Sequence, residues 1–381
     1  MRACMKKLSK ADREKEEILD PERARKRKEQ HKRNKILCVL SVIAAILAVG
    51  VGGFSVLKVM GKNKLAKNAI VASPSPTIED STLTEEEKTY WQEGWVRYEG
   101  KIYDYNEDIL TFLVMGIDKN TDAKEVEEGT KGGQADALFL VVLNPHTSQI
   151  SVIGINRNAM TDIDIYDNAG AYVRTQVAQI CVQHGFGNGV EESCEYQVKA
   201  VSNLMYNIPI HGYGAINMKG IPTINDAVRG VDVTVLEDIT SDKKDIVLTA
   251  GEQTHLEGDA AYWYVRARDT DTFGSADARL ARQKQYLTAF INTAKSATKK
   301  DLTVPVKLYQ AMQSMMVTNI TVDEVAYLSS IAVDYSFAED SFHMVPGETQ
   351  MGEQFEEFYV DEDALYQMII DVFYEEVEGV Q

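Results

Sequence analysis

The longest apolar run of the chain lies near its N-terminus. Residues 36–57 are 22 consecutive residues without a charged side chain. As a helix this run would be about 33 Å long, enough to cross a hydrocarbon core of about 30 Å. The run therefore predicts a single transmembrane anchor. A cleaved signal peptide is the alternative, but the apolar run and the basic segment before it are both long for one.

Shorter apolar runs and helical periodicities follow from residue 109 onwards. Predicted strands cover 109–117, 137–143, 150–155, 212–218 and 231–236, and the first three are continuous enough for strands covered on both faces. Predicted helices cover 193–206, 221–228, 256–265 and 281–294. This order predicts an α/β fold, a three-layer α/β/α domain with a central mixed sheet, preceded by one transmembrane helix.

The distribution of charge predicts the orientation of the chain. Residues 1–35 hold 14 Lys and Arg against 7 Asp and Glu, although the whole chain has a formal net charge of −18. Eight Lys and Arg lie in the fifteen residues before the apolar run, against four in the ten residues after it. The positive-inside rule then places the N-terminus in the cytoplasm and everything after residue 57 outside the cell. The acidic remainder is a poor candidate for nucleic-acid binding, which needs clustered Lys and Arg.

These features predict five segments. They are a basic cytoplasmic tail (1–35), the anchor (36–57), an extracellular tether and juxtadomain segment (58–106), the main α/β domain (107–300) and a helical C-terminal extension (301–381) that completes or pads it. Within 90–105, a short helix and a hairpin around Glu99 and Gly100 are favoured over a carbohydrate-stacking platform. Cys181 and Cys194 could form an extracellular disulfide or remain two buried thiols.

Arginine is concentrated in one short part of the chain. Of the eight arginines after the apolar run, four fall within seventeen residues: Arg266, Arg268, Arg279 and Arg282. A guanidinium group binds phosphate oxygens through two parallel hydrogen bonds and stays charged at any working pH. We interpret the segment, with Gln283 beside Arg282 on a predicted helix, as an anion clamp. An exposed helix face that forms ordinary salt bridges is the alternative.

Two aspartates lie at the ends of predicted strands. Asp118 follows the strand 109–117, and Asp136 precedes the strand 137–143. If these strands are neighbours, both carboxylates lie at one edge of the sheet, opposite the arginines. Mg²⁺ prefers one or two carboxylates together with phosphate oxygens, so the pair predicts a Mg²⁺ site. A turn residue and a cap are the alternatives for Asp118 and Asp136.

Five sequence blocks follow one another within about 107–297. They are LVMGID, GGQADALFLVVLNPHTSQISVIGINRN, IHGYGAINMKGIPTINDAVRGVDVTV, LTAGEQTHLEGDAAYWYVRAR and ARLARQKQYL. In this order the chain resembles the LytR-CpsA-Psr family of cell-wall glycopolymer transferases. The resemblance implies an α/β/α domain that holds a polyprenyl-pyrophosphate lipid in an apolar pocket, with Mg²⁺ and arginines on the pyrophosphate. It also implies transfer of a glycan phosphate, such as wall teichoic acid, to a peptidoglycan hydroxyl.

The same resemblance implies roles for individual residues. It assigns Mg²⁺ binding and catalysis to Asp118 and Asp136, and it adds Arg157 as a catalytic residue. The residues implied to bind the pyrophosphate are Arg157, Arg266, Arg268, Arg279, Arg282 and Gln283. The implied partners are the polyprenyl-pyrophosphate-linked glycan, peptidoglycan and membrane lipid, with no nucleic acid, and the implied location is the cell membrane. Which aspartate, if either, takes the proton of the acceptor hydroxyl is left open.

The sequence departs from the family pattern at three places. Gln134 stands where the family usually has an arginine, and Asn158 where it usually has an aspartate. Ala276 stands where the family usually has an aspartate, with Asp277 one position later. The departures could mean a different polymer, weaker pyrophosphate binding, or replacement by another residue such as Arg174. Two alternatives to a transferase stay open: a non-catalytic binder of lipid-linked envelope precursors, and a pyrophosphate hydrolase that acts on the same lipids.

Overall fold

The structure of the protein is a computed structural model. It describes residues 89–377 except 93, 119–131, 168, 244 and 270, and also Met60 and Leu65. The predicted tail (1–35) and anchor (36–57) lie outside the described residues, as does most of the tether. Within the described part of the chain, no helix combines the length and the apolar character that crossing a bilayer requires.

A six-stranded mixed sheet forms the centre of the fold. From one edge to the other its strands are β13 (Met316–Thr318), β8 (Gly212–Asn217), β3 (Leu110–Ile117), β4 (Ala135–Asn144), β5 (Gln149–Ile155) and β14 (Phe342–Met344). β3 pairs antiparallel with β4 and parallel with β8. β14 is parallel to β5, and β13 is antiparallel to β8. The predicted α/β fold with a central mixed sheet is confirmed.

The other described strands form smaller sheets. These are β1 (Val96–Tyr98), β2 (Lys101–Tyr105) and β17 (Tyr374–Glu376); β6 (Met160–Tyr166) and β7 (Tyr172–Gln179); β9 (Val231–Thr234) and β12 (Gln253–Leu256); β10 (Ile239–Thr240) and β11 (Val247–Leu248); and β15 (Gly347–Met351) and β16 (Glu356–Val360). The predicted hairpin is present at β1 and β2. Its turn residues Glu99 and Gly100 both have positive φ, which a two-residue turn of type I′ requires.

The described residues form seven α-helices. They are α1 (Glu191–Leu204), α2 (Ile221–Ala227), α3 (Asp259–Arg266), α4 (Ser275–Lys300), α5 (Val304–Met312), α6 (Val322–Ala332) and α7 (Glu362–Phe373). The first four correspond to the four predicted helices. α4 is longer than predicted because its first turns carry the arginines rather than apolar residues.

Helices cover both faces of the central sheet. On one face, Leu113 of β3 packs with Val201 of α1 and Ile369 of α7 in the largest core cluster. On the other face, Phe139 of β4 packs with Leu280 of α4. Because successive side chains of a strand point to opposite faces, coverage on both sides explains the continuous apolar runs.

Two predictions about secondary structure were wrong. The predicted strand 231–236 does not join the central sheet, because β9 pairs with β12 in a separate two-stranded sheet. The segment 301–381 is not only helical, because its strands β13 and β14 form the two edges of the central sheet. Each of these edge strands has three residues, which is too short for an alternating pattern to identify. The segment therefore completes the main domain.

The two described cysteines are buried, and neither forms a disulfide with the other. Cys181 lies beside Arg157, and Cys194 Sγ lies 3.9 Å from His184 Nε2. Burial raises the pKa of the Cys181 thiol, which keeps it neutral at physiological pH. Of the two alternatives that the sequence left open, the structure has two buried thiols.

Candidate functional site

Asp118 and Asp136 lie at the same end of the neighbouring inner strands β3 and β4. This end of the two strands is called the aspartate edge below. Ile117, the last residue of β3, pairs with Ala135, the first residue of β4, while Gly116 pairs with the residue after Asp136. Asp136 is therefore the extra residue of a β-bulge. Bulges redirect side chains and are common beside active sites. The strand pairing thus places both aspartates at one edge, as the sequence predicted.

Arg157, which follows β5, reaches Asp136. Its Nε lies 3.0 Å from Asp136 Oδ1, with 15% and 14% of the two side chains exposed. Its Nη2 donates to Cys181 Sγ at 3.1 Å and to Gln134 Oε1. Burial opposes the charge of Arg157, but Cys181 and Asp136 outweigh it and raise its pKa. Gln134, which stands where the family usually has an arginine, thus accepts a hydrogen bond from Arg157.

Arg266 is the last residue of α3 and reaches Asp118. Its Nη2 lies 3.4 Å from Asp118 Oδ2. Its guanidinium group also lies 5.6 Å from the ring centre of Tyr262 and 6.0 Å from that of Trp263. Its Nε is buried and has no hydrogen-bond partner among the described residues. A buried, unsatisfied donor on a cation suits an anionic ligand.

Helix α4 brings Arg279 to the same cluster. Its side chain is 7% exposed, and its Nη1 lies 3.8 Å from Asp136 Oδ2. Asp136 therefore lies between Arg157 and Arg279, with one arginine near each oxygen. Burial lowers the pKa of Arg279 to about 10; Asp136 opposes this effect, and Arg157 and Arg268 add to it. Cations this close repel one another, and a bound anion relieves the repulsion.

Arg282 has three partners within the protein. Its Nε lies 2.6 Å from Glu237 Oε1, and its Nη atoms donate to the carbonyl oxygens of Tyr264 and Ala267. The described residues between α3 and α4, which are 267–269 and 271–274, are called the arginine loop below. These contacts make Arg282 a support for that loop, and a direct contact between Arg282 and pyrophosphate stays a prediction.

Polar side chains outside the predicted set of site residues also hold the arginine loop and the start of α4. Glu356 of β16 accepts a hydrogen bond from Arg268 Nη2 at 3.0 Å. Asp277, in the first turn of α4, accepts from Asn156 Nδ2 at 2.7 Å and from Thr349 Oγ1 at 2.8 Å. No local pattern in the sequence connects the C-terminal hairpin to the arginines. Asp277 therefore connects the side chain of Asn156, the residue before Arg157, to the hairpin of β15 and β16.

Two of the residues raised by the family departures lie in other contacts. Arg174 is exposed on β7, and its Nε donates to Gln176 Oε1 at 3.0 Å. Asn158 is buried, and its Oδ1 accepts from Gln179 Nε2 at 3.3 Å. Arg174 therefore does not supply the missing guanidinium group at the aspartate edge. Asn158 supports the segment that follows β5.

An apolar cavity of about 520 Å³ begins beside this cluster. It lies between strands β3 and β4 on one side and helices α2, α4 and α6 on the other. Gly116, Val265 and Gln283 line the end near the charged residues, and Gln283 Nε2 donates to the Val265 carbonyl at 3.1 Å. Most of the remaining lining is apolar, including Phe112, Phe139, Tyr286, Leu287, Phe290 and Leu328.

Together the cluster and the cavity suit a ligand with two different ends. Arginines provide charge-assisted donors for an anionic head group. The adjoining cavity removes an apolar tail from water, which contributes about 25 cal/mol for each Å² buried. An amphiphile with an anionic head and a long apolar tail fits both parts at once.

Comparisons with known proteins agree with this geometry. The model of the LytR_cpsA_psr family matches residues 76–371. The chain is 30% identical over 292 residues to polyisoprenyl-teichoic acid–peptidoglycan teichoic acid transferase TagU of Bacillus cereus, which covers 77% of this chain and 81% of that protein. It is 24% identical over 304 residues to the transferase TagV of Bacillus subtilis, which covers 78% and 66%. The match to TagU of Bacillus anthracis, at 31% identity, spans 62% of that relative.

Solved structures share the fold. The crystal structure of B. subtilis TagV aligns with a TM-score of 0.53 at 23% identity, over 70% of this chain and 96% of that one. Protein gbs0355 of Streptococcus agalactiae aligns with a TM-score of 0.57 at 19% identity, over 69% and 86%. A structure of TagT bound to LI-WTA aligns with a TM-score of 0.50 at 21% identity, over 70% and 90%.

Proposed function

The chain belongs to the LytR-CpsA-Psr family, and from this premise we propose that it is a membrane-anchored extracellular phosphotransferase. Its donor is a glycan linked to a polyprenyl pyrophosphate, and its acceptor is a hydroxyl group of peptidoglycan. The relatives TagU and TagV are named for the transfer of teichoic acid to peptidoglycan. TagT, which shares the fold, has been solved bound to LI-WTA. Both observations support attachment of a cell-wall glycopolymer.

The observation that carries the proposal is the continuity between the arginine cluster and the apolar cavity. Gln283 lines the cavity and lies one turn from Arg279, whose guanidinium group is beside Asp136. A pyrophosphate at the cluster therefore has space for its polyprenyl tail directly behind it. The glycan end of the same molecule then points away from the cavity, towards the exposed side chain of Asp118.

The proposed reaction is a phosphoryl transfer. The acceptor hydroxyl oxygen attacks the sugar-side phosphorus and forms a new phosphorus–oxygen bond. The bond between that phosphorus and the bridging oxygen breaks, and polyprenyl phosphate leaves with the electron pair. Negative charge grows on the leaving phosphate and on the transferring group. Preorganised guanidinium groups of Arg157, Arg268 and Arg279 stabilise this charge, which is where most catalysis in such reactions lies.

We assign the acceptor proton to Asp118. Both oxygens of Asp136 are near arginines, at 3.0 Å from Arg157 and 3.8 Å from Arg279. Asp118 has one such contact, at 3.4 Å from Arg266, and 41% of its side chain is exposed. A carboxylate that is exposed and singly paired can receive a proton from an incoming hydroxyl group.

The donor set also fits a Mg²⁺ ion, and for Asp118 this is an alternative to the proton-accepting role, because a bound cation makes a carboxylate a weaker base. Asp118 and Asp136 supply two carboxylates at one sheet edge, which is the protein share of ligands that Mg²⁺ takes beside phosphate oxygens. No cluster of three or more His, Cys, Asp or Glu side chains for a metal occurs in the described part of the chain. A bound ion would therefore take its other ligands from the substrate and water, and it would neutralise phosphate charge. Titration of Mg²⁺ in the presence of pyrophosphate, with Asp118→Ala and Asp136→Ala, tests this assignment.

The membrane anchor at 36–57 belongs to the same proposal. It would keep the extracellular domain close to the membrane leaflet that holds the lipid tail of the donor. Protease added to intact cells, with the cell wall made permeable and the cytoplasmic membrane left closed, should remove the C-terminal domain and spare an N-terminal tag. A protected C-terminus would reverse the proposed topology.

Transfer is tested with the full-length protein in liposomes that contain a polyprenyl-pyrophosphate-linked glycan. Peptidoglycan oligomers are added with Mg²⁺, and products are separated by mass. Glycan phosphate on the oligomers, with release of polyprenyl phosphate, supports the transferase. Glycan phosphate released into water would indicate a hydrolase instead. Saturable binding of the lipid without either product would indicate a binding protein. Asp162→Asn, an exposed aspartate on β6, is the matched control for Asp118→Asn.

A further inference from the structure

Glu356 is a buried carboxylate on the C-terminal hairpin of β15 and β16. It is the first residue of β16, and its side chain is 7% exposed. A carboxylate is rarely buried unless it is paired, because removing its charge from water is costly. The hydrogen-bond partners of the Glu356 carboxylate therefore indicate its role.

Both oxygens of Glu356 bind the arginine loop. Oε2 accepts from Arg268 Nη2 at 3.0 Å, and Oε1 accepts from the backbone amide of Gly274 at 2.7 Å. Arg268 also donates from Nε to Ser275 Oγ at 3.0 Å. Two edges of the guanidinium group are therefore fixed, one by the hairpin and one by the start of α4.

The hairpin is itself attached to the segment that carries Arg157. Gln179 Nε2 donates to the Glu356 carbonyl at 2.7 Å, and the amide of Phe358 donates to the Asn158 carbonyl at 2.9 Å. Thr349 of β15 donates to Asp277, which also accepts from Asn156. One hairpin thus connects the two parts of the chain that supply the arginines.

We propose that Glu356 is a positioning residue that holds the guanidinium group of Arg268 in the orientation needed to bind pyrophosphate. This proposal rests on the proposed function. A guanidinium group has five N–H donors. The contacts with Glu356 and Ser275 use two of them, so three remain for phosphate oxygens. Glu356 therefore orients Arg268 without consuming its capacity to bind the ligand.

The first test is a double-mutant cycle on the full-length protein with farnesyl pyrophosphate as the probe. Glu356→Gln should raise the Kd by about tenfold, because a hydrogen bond between charged groups is lost. In the Arg268→Ala background the same change should leave the Kd unaltered, because Glu356 acts through Arg268. Glu348→Gln, an exposed acid on β15, is the control and should match wild type.

The cycle can also overturn the proposal. An equal loss in both backgrounds would mean that Glu356 only supports the fold. Tighter binding by Glu356→Gln would mean that the carboxylate competes with phosphate. An unchanged Kd would mean that Arg268 needs no positioning.

A second measurement needs no lipid. Hydrogen exchange at the Gly274 amide should accelerate at least tenfold in Glu356→Ala, because the acceptor of that amide is removed. Glu356→Gln, which keeps an acceptor oxygen, should restore most of the protection. If exchange responds in this way and no pyrophosphate binds wild type, the proposed function fails while the positioning contact stands. Unaltered exchange in Glu356→Ala would overturn the positioning role itself.

Discussion

Arg157 Nε lies 3.0 Å from Asp136 Oδ1, although the two residues come from different strand ends. The contact exists because a β-bulge makes Asp136 an extra residue at the start of β4. The second oxygen of Asp136 is 3.8 Å from Arg279. One carboxylate thus lies between two largely buried cations, so the charges of Arg157 and Arg279 are balanced by the same side chain.

Replacing Asp136 should destabilise the protein and make its stability depend on an added anion. Asp136→Asn leaves Arg157 and Arg279 without a carboxylate, and an uncompensated buried charge costs about 3–5 kcal/mol. If the proposed function holds, inorganic pyrophosphate should restore part of the loss, because an anion beside the same arginines replaces the missing negative charge. Urea unfolding with and without pyrophosphate measures both effects.

Asp162→Asn is the control for this prediction, because Asp162 is exposed on β6. It should unfold like wild type at either pyrophosphate concentration. If Asp136→Asn were as stable as wild type, the two arginines would not be coupled through this carboxylate.

The arginines should be needed for transfer far more than for folding. In Arg268→Lys and Arg279→Lys a point charge replaces a planar group with paired donors. Loss of one preorganised donor at such a site typically lowers kcat about 10²–10³-fold. Transfer to peptidoglycan oligomers and melting temperature are measured for both variants. Arg174→Lys, on the exposed strand β7, is the control and should transfer normally. Wild-type transfer in both variants would show that Arg268 and Arg279 form ordinary salt bridges and are not part of the transfer site.

Filling the apolar cavity should separate tail binding from head binding. Ala294 of α4 lines the cavity, whereas Asn292 on the same helix is exposed. Ala294→Trp should weaken binding of a long-chain polyprenyl pyrophosphate at least tenfold, because loss of two buried CH₂ groups already costs about 1.6 kcal/mol. Inorganic pyrophosphate should bind unchanged. Asn292→Trp should alter neither affinity, and equal losses for both ligands in Ala294→Trp would contradict a tail-binding cavity.

Local patterns were enough to predict much of the sheet edge. Asp118 follows a strand that is recognisable from its apolar run, and the four positions between Arg279 and Gln283 correspond to about one turn of a helix. Each of these features depends on neighbouring residues along the chain. Their strand and helix assignments therefore followed from period and turn chemistry.

Long-range pairing explains what the sequence could not predict. Glu356 and Arg268 are 88 residues apart, and nothing periodic connects them. The bulge at Asp136 was also hidden, because β4 is apolar on both faces and a shift of one residue leaves no change in an unbroken apolar run. The edge strands β13 and β14 could not be predicted, because a strand of three residues is too short to show an alternation of apolar and polar positions.

His211 should make the fold sensitive to acid at a point remote from the charged cluster. It precedes β8, and its Nδ1 accepts from the Thr111 amide at 3.1 Å, which requires that nitrogen to be unprotonated. Burial lowers the pKa of His211 to about 4, from an ordinary value of 6.5. Below pH 6.5 the unfolded chain therefore binds more protons than the folded one, and stability falls as the pH drops from about 6.5 through about 4. The expected loss is ~3 kcal/mol.

Urea unfolding of wild type and His211→Gln between pH 7 and pH 4 measures this loss. The stability advantage of wild type over the variant should shrink or reverse in acid. His255→Gln is the control, because the hydrogen bond with Asp232 raises the pKa of His255, and that contribution is lost as the pH rises instead. Parallel stability curves for wild type and His211→Gln would show that His211 does not set the acid limit of the fold.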